Sequence, residues 1–320
     1  MFSLRNKHMG PQKTQSPAWT REQWADWVTQ QINDRETVYA TDPDEMMAAH
    51  SREVGYARDY HGREILELLQ NADDAGTDHT QSSKAAIVLI DSGFCIANTG
   101  SRFSPEGVKS LMISDNSPKR FRRSQYIGNR GLGFRSILSW TDCPFILSGT
   151  LAIGFSRSTS YVWMDSLCKR HEKVRDTVRR EASAGTSHPI PTLAIPVTLD
   201  RNGNAPAFKP GIASFRPIWD LAQSLCGQGY DTVIGIPLTS ARLLAEVKTQ
   251  LSQLGGEVLL FLQKLHDLLI QTPEGTRSWH LTRRGQTATV SSNTDATSSQ
   301  RWRLFRTSDA IPKKHLRPDQ

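Results

Sequence analysis

The sequence predicts an α+β fold, and three observations carry that reading. Residues 64–76, Glu-Ile-Leu-Glu-Leu-Leu-Gln-Asn-Ala-Asp-Asp-Ala-Gly, have the periodicity of an amphipathic helix. The aliphatic run Ala85–Ile90 reads as a buried strand, which Asp91-Ser92-Gly93 turns into a second strand over Phe94–Ala97. After 272 the chain alternates apolar and polar residues, as strands of an antiparallel sheet do.

Residues 1–18 have the composition of a disordered N-terminus. An N-terminal helical segment over 19–44 follows, with Thr20 as N-cap and Trp24, Trp27 and Val28 on one side. Residues 44–75 continue as helix, interrupted near Gly55 or Gly62. Beyond the hairpin, Ser104-Pro105-Glu106 opens a short helix, with serine as cap and proline in the first turn. Residues 114–130 are polar and basic and read as part of a lid spanning about 101–135. A helix over 132–141 leads into strands near 143–148 and 151–156. The proline-containing stretch 161–215 reads as an insertion with helix over 161–182 and one strand near 192–198. Helix 217–226, strand 231–238 and helices near 239–254 and 256–270 follow. The alternating segment 271–320 then reads as the start of a second, β-rich and incomplete unit.

Chemistry concentrates at two places. On the helix, Ile65, Leu66, Leu69 and Ala72 recur at the spacing of a core-facing side. Glu67, Asn71 and Asp74 stand at i, i+4 and i+7, so at about 100° per residue they form one narrow strip. Two acids and an amide stacked beside an apolar face suit a metal–phosphate site. An exposed helix face ending in a Gly76 C-cap fits the same spacing. The second place is Ile127-Gly128-Asn129-Arg130-Gly131-Leu132-Gly133-Phe134-Arg135-Ser136. Its glycines let backbone N–H groups approach phosphate oxygens, and the following helix N-terminus favours negative charge. The Lys-Ser/Thr pair of a P-loop is missing, and a polar, basic stretch rather than a strand precedes the loop.

Taken together and in this order, the two motifs resemble those of the GHKL (Bergerat-fold) ATPases. The helix is similar to that superfamily's Glu-x-x-x-Asn-x-x-Asp pattern, and the loop to its chaperone-type Ile-Gly-x-x-Gly-x-Gly-Phe-x-Ser pattern. The Gln-Asn-Ala-Asp-Asp-Ala-Gly wording and the later run Tyr230–Leu238 look most like the sacsin and NO VEIN branch, related to the heat-shock-chaperone type. The resemblance spans about 45–270 and implies an ATP-binding domain built as an α+β two-layer sandwich. Its mixed, mainly antiparallel sheet would be covered on one face by helices. One motif departs from the superfamily pattern: Asn98-Thr99-Gly100-Ser101-Arg102 stands where Asp-x-Gly-x-Gly is usual. An amide oxygen accepts from an adenine amine without the help of a charge.

The resemblance also implies roles. Glu67 would be the general base, and Asn71 the ligand of Mg²⁺. Asp74, Asn98, Gly100 and Thr232 would line the nucleotide, and Gly128, Gly131, Gly133 and Phe134 would belong to the phosphate loop. Lys119, Arg120, Arg122 and Arg123 lie in the lid and read as a solvated basic loop. ATP and Mg²⁺ are the expected ligands, with a protein client or a homodimer partner beyond them. Family members often complete the site with a Lys or Arg from a following domain. No such residue is assignable here, so hydrolysis is expected to be slow. Three functions compete: a chaperone-like conformational switch, a nucleic-acid clamp of MutL or MORC type, and a non-hydrolysing nucleotide-binding module. A histidine-kinase role is disfavoured, because His50 and His61 lack a phospho-acceptor context.

Composition bounds the rest. Among 320 residues, hydrophobic content is 37%, and the mean hydropathy of −0.47 lies at the polar end for a globular chain. No apolar run is long enough for a membrane span, and Met1–Pro17 lacks the apolar core of a signal peptide. An intracellular protein, cytoplasmic or nuclear, is therefore expected. Cys95, Cys143, Cys168 and Cys226 are widely spaced and read as reduced thiols, and the nine histidines show no ligand spacing. The net charge of +7 allows nucleic-acid contact without demanding it.

Overall fold

A computed structural model describes residues 19–76, 83–113, 133–186, 188–293 and 298–304. The helices are α1 (Arg21–Thr41), α2 (Pro43–Asp59), α3 (Glu64–Ala75), α4 (Pro105–Met112), α5 (Gly133–Ser136), α6 (Arg157–Arg170), α7 (Glu172–Ser183), α8 (Phe215–Gly227) and α9 (Ala241–Gln253). The strands are β1 (Ser83–Ile90), β2 (Gly93–Asn98), β3 (Phe145–Ser148), β4 (Leu151–Gly154), β5 (Val197–Thr198), β6 (Thr232–Pro237), β7 (Leu265–Thr272), β8 (Gly275–Arg284), β9 (Thr287–Ser292) and β10 (Ser299–Arg303). The protein is an α+β sandwich around one ten-stranded sheet, in the order β10-β9-β8-β7-β1-β2-β6-β3-β4-β5. The β1–β7 pair is parallel, and the remaining pairs are antiparallel.

Alternation along the strands assigns each face a core. Ile87, Leu89, Phe94, Ile96, Ile146, Ile234 and Ile236 pack with α1, α3, α4, α5 and α9 in one continuous cluster. The intervening residues Val88, Cys95, Ala97, Phe145, Leu147 and Val233 face Phe215, Ile218, Trp219 and Ala222 of α8. Helices were expected on one face; α8 also covers the centre of the second. A third cluster joins Tyr39 and Met46 of the N-terminal helices to Met164, Leu167 and Val174 of α6 and α7.

The helix starts follow local chemistry. Thr20 and Gln23 form a capping box on α1, and Ser104 caps α4 by accepting from the Gly107 N–H. Four expectations are corrected. Leu66 is 39% exposed, whereas Leu68 is 1% exposed, so the buried arc of α3 is Ile65, Leu68, Leu69 and Ala72. The helix expected over 132–141 is a four-residue α-turn followed by a 3₁₀ turn over Ile137–Ser139. The strand expected near 192–198 is a 3₁₀ turn over Thr192–Ala194 and the two-residue β5.

The fourth correction concerns the end of the domain. The helix expected over 256–270 is a 3₁₀ turn over Gly256–Leu260 followed by β7. Leu259, Leu262, Leu265 and Leu268 recur every third residue and imitate a helix. All four are buried: Leu259 and Leu262 precede β7, and Leu265 and Leu268 lie on either side of a slip in the β1–β7 register between Ser83↔Leu265 and Lys84↔Asp267. That irregularity resets the alternation. The described residues from 271 to 304, expected to open a second unit, instead pair into the same sheet through β7, β8, β9 and β10. No helix among the described residues is long and apolar enough to cross a membrane.

Candidate functional site

Helix α3 lies on β1 and β2, with Leu68, Leu69 and Ala72 pressed into the main core. That packing leaves Glu67 and Asn71 half-buried along the flank of the helix and Asp74 buried at its end. Asn71 makes no side-chain hydrogen bond within the described residues. Burial, and after it the negative charge of Glu67, raises the Tyr60 hydroxyl above its ordinary pKa.

Gly133 brings the end of the glycine loop against Glu67. A Cβ at this position would lie 2.5 Å from Glu67 Oε2 and 2.8 Å from Glu67 Cβ. The next residues turn away into the protein. Phe134, expected at the nucleotide, is 2% exposed and packs edge-on to Phe155 with centroids 6.1 Å apart. Arg135 is 1% exposed and donates to the carbonyls of Ser110 at 3.3 Å and Leu111 at 2.7 Å. These carbonyls end α4, where a cation is favoured. Arg135 therefore clips the two ends of segment 114–132 together. Gly128, Gly131, Lys119, Arg120, Arg122 and Arg123 lie in that segment, outside the described residues.

The far wall is a row of side chains across three strands. Asn98 of β2 is the register partner of Thr232 of β6, and Thr232 is the partner of Ser148 of β3. All three share the parity of Phe94, Ile96, Ile234 and Ile146, so they face the α3 side. Asn98 is 5% exposed, Thr232 3% and Ser148 4%. The Thr232 and Ser148 hydroxyls are 2.7 Å apart, and Ser148 also accepts from the Phe103 N–H at 3.0 Å. Asn98 Nδ2 donates to the Thr99 carbonyl at 3.3 Å.

Gly100 joins this row to α3. Its φ of +133° and its closeness to the Ala75 carbonyl, 2.2 Å from where a Cβ would sit, exclude other residues. Its N–H donates to Asp231 Oδ2 at 3.1 Å, and the Ser101 N–H donates to the Ala75 carbonyl at 2.7 Å. Asp231 also pairs with Arg102 at 3.3 Å. The acid beside Asp74 has a different task. Asp73 is 1% exposed and accepts the N–H groups of Gln263, Lys264 and Leu265 at 2.9, 2.7 and 2.8 Å. It therefore fastens the end of α3 to the start of β7.

The structure thus gathers Glu67 with Gly133 on one side, and Asn98, Gly100 and Thr232 on the other, around α3. Sequence reading missed Ser148, Asp231, Arg135 and Asp73. Ser148 and Asp231 act only through strand register, which motif spacing does not encode. Asp73 was visible as an Asp-Asp pair, but its partners come from a distant turn.

No protein-family model matches the chain. Among curated proteins it is similar to Protein NO VEIN of Arabidopsis thaliana, 32% identical over 107 residues. That stretch is 33% of this chain but 4% of the plant protein's length, so the chain is a partial homologue of one short portion of NO VEIN.

Proposed function

We propose that the protein is a GHKL-type nucleotide-binding domain. It would bind ATP with Mg²⁺ between α3, the Asn98–Thr232–Ser148 row and the glycine loop, and use slow hydrolysis as a conformational switch of the sacsin or chaperone kind. The observation that carries the reading is the contact of Gly133 with Glu67. It puts the last glycine of the loop beside the helix acid, as a phosphate loop over a general base requires. The partial likeness to NO VEIN agrees with the branch suggested by the helix motif.

The residues present fit the ligands. Asn71 offers a half-buried amide oxygen, without a hydrogen bond among the described residues, a donor type suited to Mg²⁺. When bound, the ion would neutralise charge on the phosphates. Asn98 and Thr232 offer hydrogen-bonding groups on a buried wall suited to a base edge. Glu67 would orient the attacking water and take its proton. Backbone N–H groups of the glycine loop would stabilise charge on the transferring phosphoryl group.

Calorimetric titration with a non-hydrolysable ATP analogue and Mg²⁺ tests the reading. Saturable binding by the wild type, lost in a folded Asn71→Ala variant, is the expected result. A folded wild type that binds no nucleotide would refute it.

A further inference from the structure

We propose that His61, Glu64 and Glu246 form a site for one divalent transition-metal ion of the zinc class, clasping the start of α3 to α9. Within the described residues these three present ligand atoms that all lie within 4.8 Å of one another. His61 Nδ1 is 3.2 Å from Glu64 Oε1 and 3.7 Å from Glu246 Oε1. Zinc bonds of about 2.0–2.2 Å to nitrogen and oxygen place neighbouring corners of a tetrahedron roughly 3.3–3.6 Å apart. The side chains already span nearly that shape.

The surroundings orient the ligands without neutralising them. Gln250 Nε2 donates to Glu64 Oε2 at 2.9 Å, and the Ser139 hydroxyl donates to Glu64 Oε1 at 3.3 Å. The Trp140 indole N–H donates to Glu246 Oε1 at 2.9 Å. These are neutral donors fixing carboxylates, the outer shell that metal sites use. Glu64 is 0% exposed, and among the described residues no Lys or Arg forms an ion pair with it or with Glu246. A cation placed between two neighbouring carboxylates, one of them buried, gains from both. The His61 side chain is 57% exposed, which leaves an entry path and a corner for water. Glu246 reaches the site from far along the chain. The histidines therefore showed no ligand spacing in the sequence.

The test uses the full chain without a histidine tag, stripped with a chelator. It is titrated with Zn²⁺ by calorimetry and with Co²⁺ by visible absorption. One ion per chain is expected, with Co²⁺ ligand-field bands and no thiolate charge-transfer band. His61→Ala and Glu246→Gln should each weaken binding at least about tenfold. Both variants should fold: His61 is exposed, and glutamine keeps an acceptor for the Trp140 N–H, with circular dichroism as the check. The proposal is overturned if the wild type binds no stoichiometric ion. It is equally overturned if both folded variants bind like the wild type, since the ion then sits on other groups. In either case the contact of His61 with Glu64 is the remaining role of the cluster.

Discussion

Gly133 stands so close to Glu67 that its missing side chain determines where the carboxylate can be. An added Cβ would meet Glu67 Cβ at 2.8 Å, which is too rigid an atom to yield. The limit is space, since Gly133 is not among the residues of positive φ. Gly133→Ala must push α5 away from α3. A loss of about 1–3 kcal/mol is expected for such overpacking, read by urea denaturation. If Glu67 is the general base, turnover should fall more than nucleotide affinity does. Unchanged stability together with unchanged turnover would show that the contact matters for neither.

Neighbouring polar residues on α3 should separate cleanly into structural and ligand-binding roles. Asp73→Ala strands three backbone N–H groups in the turn before β7. Only the Leu265 bond is buried throughout, and an unpaired buried donor costs about 1–3 kcal/mol, so a loss of that size is expected. Asn71→Ala removes no hydrogen bond made within the described residues and improves helix propensity by about 0.5 kcal/mol. It should melt at or slightly above the wild-type temperature while losing the ATP analogue. Equal destabilisation by the two variants would remove the distinction.

The same contrast shows what the sequence could reveal. The helix that carries Glu67, Asn71 and Asp74 was legible because its apolar residues keep a helical period. The Asn98 row was half legible: motif order pointed to Asn98 and Thr232, while Ser148 joins them only through the β3–β6 register. The leucines from Leu259 to Leu268 misled because a 3₁₀ turn, a connecting residue and the start of a slipped strand together keep the period of a helix. Phe134 misled because its place in a loop motif said nothing of the core beneath it. The metal clasp was hidden for the same reason as Ser148, its third member arriving from α9.

The thiols should divide by depth. Cys95 and Cys143 are 0% exposed, and burial raises both, Cys143 to about 12. Cys168 and Cys226 are half-buried and are raised as well, chiefly by burial. Thiolate is the reactive form. Iodoacetamide at about pH 8 should therefore label native protein slowly, at Cys168 and Cys226 first. All four should label quickly in denaturant. Peptide mass spectrometry reads the order, and early labelling of Cys95 or Cys143 would contradict the packing around α8 and β3.

Alkaline stability should depend on Tyr39. This residue is 1% exposed and sits edge-on to Trp163 at 6.4 Å. Burial raises its hydroxyl from the ordinary 10.0 to about 12, against the opposing charge of Arg35. Below pH 10.0 the folded and unfolded states are both neutral at this group, and its contribution is present in full. Above that the unfolded chain ionises while the folded one resists, so stability falls until pH reaches about 12. Two pK units correspond to about 2–3 kcal/mol. Tyr60 and Tyr230 are raised too and add to the slope in the same direction. Tyr39→Phe should flatten the curve, losing less stability between about pH 9 and pH 11 than the wild type in urea titrations. Parallel curves for the two proteins would mean that the folded state admits the phenolate, and that the third core cluster opens to water at high pH.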